Sequence, residues 1–155
     1  MSEFNPQLDL ELVRDLAASP AKIWRCWTEA DLLMQWFAPK PWGVDEAVIE
    51  ARPGGRFYTR MVGPDGEQMP NEGCILEATP EMRLTFTDAL SAGFRPKDSA
   101  FMTATITLDA LGSGTRYRAV VRHATTQART QHAEMGFEGG WGSAAAQLDA
   151  LAATL

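Results

Sequence analysis

The chain has 155 residues, 45% apolar and 22% charged, the balance of one globular domain over 1–155 rather than of a disordered, collagen-like or disulfide-built chain. At this length folding buries roughly two-thirds of the unfolded surface without staples. Lys plus Arg is 14 against 20 for Asp plus Glu, and the net charge of −6 argues against a nucleic-acid partner.

Alternation of apolar and polar residues from Leu8 to Arg14 predicts a strand with one buried face. Ser19-Pro20 reads as an N-cap followed by Pro at the first helical position, with Ile23, Trp24 and Trp27 at helical spacing behind it. Thr28-Glu29-Ala30-Asp31 resembles a capping box, and Leu32, Leu33, Trp36 and Phe37 form the stripe of a second short helix, ended by Pro39 and Pro41. Period-two patterning then gives six strands at roughly 44–52, 55–62, 69–78, 82–88, 100–109 and 115–123, divided by turns such as Arg52-Pro53-Gly54-Gly55 and Gly63-Pro64-Asp65-Gly66. The polar stretch from Ala89 to Ser99 reads as a lid or a variable loop. From Thr125 the pattern is one long helix, with a stripe of Trp141, Ala144, Ala145, Leu148, Leu151 and Leu155. Gly136, Gly139, Gly140 and Gly142 in its first half imply a kink or a close approach to another backbone. The class is α+β: a seven-stranded antiparallel sheet that buries one face under the C-terminal helix.

Few chemical groups stand out. Cys26 and Cys74 lie far apart in apolar surroundings and read as buried free thiols. No apolar run reaches the ~18 residues of a membrane helix, and the first residues carry no leader pattern, so a cytoplasmic protein with no membrane partner is expected. With two His, His123 and His132, and two scattered Cys, no metal site is expected. His132-Ala133-Glu134 lacks the Pro-Cys-x-x-Cys of a zinc deaminase, and Gly112-Ser113-Gly114 sits in a hairpin rather than a dinucleotide turn. Glu46 and Glu50 share a strand face that reads as solvated. No catalytic constellation and no cofactor motif emerges.

Several segments taken together resemble one family. Ser19-Pro20-Ala21-Lys22-Ile23-Trp24-Arg25-Cys26-Trp27-Thr28, Leu33-Met34-Gln35-Trp36-Phe37-Ala38-Pro39, Arg52-Pro53-Gly54-Gly55-Arg56-Phe57, the pair Pro64-Asp65-Gly66 and Asn71-Glu72-Gly73, and His132-Ala133-Glu134-Met135-Gly136-Phe137 with Gly140-Trp141 are similar to the bacterial homologues of the activator of the heat-shock-protein-90 ATPase, within the START/Bet v 1-like (SRPBCC) superfamily. The resemblance implies the helix-grip fold, a curved sheet wrapped around a long C-terminal helix with two short helices at its open end. It also implies an apolar cavity between sheet and helix that holds a small hydrophobic or amphipathic ligand. Two alternatives follow from it: an enzyme of the polyketide cyclase or hydrolase type using His123 and Glu72, and a co-chaperone-like module. The eukaryotic activator's separate N-terminal domain is not among these 155 residues.

Strand alternation nominates the lining. Phe57 and Met61, Cys74 and Leu76, Phe86, Met102, Tyr117 and His123 are expected inward, with Glu72 near the mouth. Trp36 comes from the short helices, and Met135 and Trp141 close the cavity from the long helix. The Thr103-Thr105-Thr107 ladder and the row Arg116, Arg118 and Arg122 are expected outside, which leaves a homodimer as an open alternative only.

Overall fold

A computed structural model describes residues 4–155, so Met1-Ser2-Glu3 of the leader reading lie outside the described residues. Strand β1 (Asp9–Leu16) leads into α1 (Pro20–Thr28) and a single-turn α2 (Ala30–Leu33). Strands β2 (Gly43–Ile49), β3 (Arg56–Val62), β4 (Gln68–Thr79) and β5 (Arg83–Thr87) follow. A small hairpin, β6 (Leu90–Ser91) and β7 (Arg95–Pro96), then precedes β8 (Thr103–Leu111) and β9 (Gly114–Arg122). Helices α3 (Thr126–Glu134) and α4 (Phe137–Ala152) end the fold. Seven strands form one antiparallel sheet in the order β1-β9-β8-β5-β4-β3-β2.

The faces of the sheet follow the alternation. Leu12, Leu84, Ile106, Ala119 and Val121 point to a core shared with Ala145 and Leu148 of α4. On the other face the threonines bond across strands, Thr85 to Thr105 at 3.2 Å and Thr87 to Thr103 at 2.8 Å between hydroxyls. Arg116 pairs with Asp15 and Arg118 with Glu11. These pairs are half-exposed, so each contributes little.

Three local expectations are corrected. The capping box does not form: Glu29 itself caps α2 through its backbone, its carboxylate reaches back to Arg25 at 2.7 Å, and the Thr28 hydroxyl donates to the Trp24 carbonyl. The long C-terminal helix is two helices, broken where Gly136 takes φ 92°, a left-handed conformation that glycine adopts without a Cβ penalty. The stretch 89–99 is neither a lid nor plain loop. It folds back on the outside of the sheet, where Gly93 donates to the Gly54 carbonyl and Lys97 Nζ to the Glu72 carbonyl.

Helix α4 is fastened at both of its sides by polar residues that periodicity does not reveal. The Asp149 carboxylate accepts from the backbone N–H groups of Ala17 and Ala18, both at 3.0 Å, where β1 hands over to α1. Gln147 donates to the carbonyls of Trp36 and Ala38 and accepts from Lys40 N. Asp149→Ala leaves two backbone donors unsatisfied and is expected to cost about 1–3 kcal/mol in urea unfolding, with Asp149→Asn recovering part of the loss.

Candidate functional site

Between the sheet and α4 lies a cavity of about 400 Å³. Its wall is largely aromatic and falls into two groups of rings. At one side Trp27 meets Trp36 edge-on with ring centres 4.9 Å apart, and Phe37, Phe57 and Phe86 continue the cluster. At the other side Phe101, His132, Phe137 and Trp141 pack together, with His132 4.8 Å from Phe101 and 5.2 Å from Phe137. Met61, Met69, Met102 and Met135 fill out the lining. Thioether side chains repack around varied shapes, which suits an adaptable site.

Of the residues nominated from sequence, the structure brings Trp36, Phe57, Met61, Phe86, Met102, Tyr117, Met135 and Trp141 to this cavity. Trp36 is also tied down by its indole N–H, which donates to the Cys26 carbonyl at 2.9 Å. Cys74 and Leu76 do not line it. A bulge between Ile75 and Glu77 breaks the alternation, so Ile75 takes the inward place opposite Phe86. Cys74 pairs in register with Arg56, on the opposite face from Phe57, and is nevertheless fully buried. Both cysteines are free thiols, and burial pushes the Cys26 thiol up to about 11.

Glu72 lies at the wall, but its carboxylate is held by Arg56 through two bonds of 2.9 Å, beside Tyr58 on the outer face. His123 is buried as expected yet stands behind the wall rather than in it, because β9 ends at Arg122 and α3 brings His132 in front of it. Glu72 and His123 therefore do not converge, and the acid–base pair that a cyclase-type reading needs is not assembled.

Sequence reasoning missed Phe37, Thr59, Met69, Asn71, Phe101 and Phe137 as lining residues. Alternation over the expected 100–109 strand puts Phe101 on the outer face with the threonines, but β8 begins only at Thr103, so Phe101 lies outside the strand and reaches the cavity. It is positioned by Asp88, whose carboxylate accepts from the N–H groups of Phe101 and Met102 at 2.8 and 3.1 Å.

The polar groups in this wall are few. Burial raises the Tyr117 phenol far above its ordinary range, partly opposed by the neighbouring Trp27 N–H. That indole N–H is buried and closes no well-formed hydrogen bond among the described residues. Burial first, and the His123 charge second, lower His132 to about 4, so its ring is neutral at physiological pH. No cluster of metal-ligating residues occurs among the described residues, and no described helix is long and apolar enough to cross a membrane.

Comparison with known proteins places this arrangement. The family described as activator of Hsp90 ATPase homolog 1-like protein matches residues 17–153. The chain belongs to that family. Among solved structures, a protein from Nitrosomonas europaea is similar at 47% identity with a TM-score of 0.93, 96% of each chain being covered. A protein from Rhodobacter sphaeroides is 28% identical with a TM-score of 0.81, covering 99% of this chain and 97% of its own. One from Mycobacterium smegmatis is 29% identical with a TM-score of 0.79, covering 94% and 90%. A search of curated proteins finds no match. The seven-stranded sheet closed by a C-terminal helix is thus the family's α+β, Bet v 1-like helix-grip fold.

Proposed function

We propose that this family member binds a small apolar or amphipathic molecule in the cavity between the sheet and α4. The observation that carries the reading is the cavity itself, a half-open space of about 400 Å³ lined by rings and thioethers with few polar groups. That volume is within the usual range for small-molecule sites, roughly 300–1,000 Å³. A solid core would have closed it, since protein interiors leave few voids larger than a water molecule. A catalytic role has no comparable support, because the Glu72 carboxylate is taken up by Arg56 and His123 is bonded to the Leu8 carbonyl and to His132, so the two do not meet.

The test is a titration with the uncharged fluorescent probe N-phenyl-1-naphthylamine, with native mass spectrometry of the purified protein beside it. Saturable one-to-one binding is expected, and a probe at 100 times its dissociation constant should stabilise the fold by about 2.7 kcal/mol. Ala145 is buried on α4 at the wall. Ala145→Trp puts an indole into the cavity and is expected to weaken the probe at least tenfold while circular dichroism stays native. Unchanged affinity in that variant would locate the probe elsewhere and count against the reading.

A further inference from the structure

His123 and His132 form a directed pair. His123 Nδ1 lies 2.8 Å from the Leu8 carbonyl, and His123 Nε2 lies 2.9 Å from His132 Nδ1. A carbonyl only accepts, so His123 Nδ1 must carry a proton. In the tautomer that this contact selects, His123 Nε2 is a bare lone pair, and His132 Nδ1–H donates to it. The proton inventory leaves His132 Nε2 unprotonated. That atom has no protein partner among the described residues, yet it is not sealed off, and His132 is part of the cavity wall. His132 is 7% exposed and clamped among Phe101, Phe137 and Trp141, so the ring has little freedom to turn away.

We infer that His132 Nε2, oriented by His123, is a fixed hydrogen-bond acceptor that selects ring-bearing apolar ligands carrying a hydroxyl or N–H donor. The inference rests on the cavity reading above and adds its specificity. His123 is a positioning residue: it touches no ligand, and it acts by fixing which nitrogen of His132 faces the cavity. The chemistry favours a phenol or alcohol over its methyl ether, because the ether offers this nitrogen no donor and leaves a desolvated acceptor unpaired. An anionic ligand is disfavoured, since a neutral imidazole lone pair would face it.

The experiment is calorimetric titration of the full chain at pH 7.5 with 2-naphthol and with 2-methoxynaphthalene. The expected result is that 2-naphthol binds about fivefold tighter, the effect of one neutral hydrogen bond. In His132→Phe both probes still bind and the preference disappears. Long-range proton–nitrogen NMR of the unmodified protein should show both imidazoles protonated at Nδ1, a signature that a merely space-filling histidine pair would have no reason to adopt. This reading stands even if His132→Phe fails to fold. Equal affinities in the unmodified protein, or a proton on His132 Nε2, would overturn the acceptor while leaving the cavity reading intact. Binding of neither probe would overturn both.

Discussion

Trp27→Ala should destabilise the protein by about 3 kcal/mol, toward the low end of the range for truncating a buried tryptophan. Trp27 is only 2% exposed and stands against Trp36, Phe37 and Phe86 at ring-centre distances of 4.9, 5.8 and 5.7 Å. Removing the indole takes the support from three other rings at once and joins a new void to the existing cavity. Two features moderate the cost. One side of the indole already borders empty space, and its N–H closes no good hydrogen bond, so losing it relieves an unsatisfied donor. For a chain of this size the loss corresponds to roughly 6–12 °C in Tm. Trp27→Phe, which keeps most of the ring contact, should cost about 1 kcal/mol. Calorimetry on both variants checks the pair, and a loss below 1 kcal/mol for the alanine variant would mean that the ring cluster does not hold the cavity wall.

Acid should weaken the fold well before its carboxylates protonate. His132 is lowered to about 4 in the folded protein, first by burial and then by the His123 charge, whereas the unfolded chain takes up that proton near 6.5. Below 6.5 the unfolded state therefore binds a proton that the folded state refuses. Stability is full above that pH, falls as pH drops, and levels off near 4. The loss is on the order of 2 kcal/mol, less than the full shift implies because the ring meets the solvent-accessible cavity. The ion-paired carboxylates of Asp15, Glu29, Asp45 and Glu77, all lowered by their arginine hydrogen bonds, release their stabilisation only at lower pH. The interval from pH 6.5 to 5 thus isolates the His132 imidazole. Urea titrations across it should show a declining midpoint, and His132→Phe should flatten most of the decline.

The sheet and most of its inward face were legible in the sequence because β5, β8 and β9 keep strict alternation. Leu84 and Phe86, Ala104 and Ile106, Tyr117 and Ala119 all fall where period two puts them. The reading failed where a local event broke the period. The bulge beside Leu76 shifted β4 by one place, which promoted Cys74 and hid Ile75. Burial also misleads at Cys74, since the hairpin of β6 and β7 folds against β4 from outside, its Lys97 reaching the Glu72 carbonyl. Asp88 and Phe101 sit just beyond the ends of β5 and β8, inside the expected strands 82–88 and 100–109, so the alternation was carried past the point where the backbone keeps it. His123 and His132 were both visible as residues. Their pairing was not, because it depends on the turn from β9 into α3 and on the break at Gly136 that lets Phe137 meet His132.

The most direct measurement of the central claim is methyl NMR of the methionines during titration with 2-naphthol. Met61, Met69, Met102 and Met135 line the cavity, whereas Met82 is 61% exposed and stands apart from it. Ligand in the cavity should move the Met61, Met69 and Met102 methyl signals together, saturably, with Met82 unmoved. Shifts led by Met82, or none at saturating probe, would contradict a binding site between the sheet and α4.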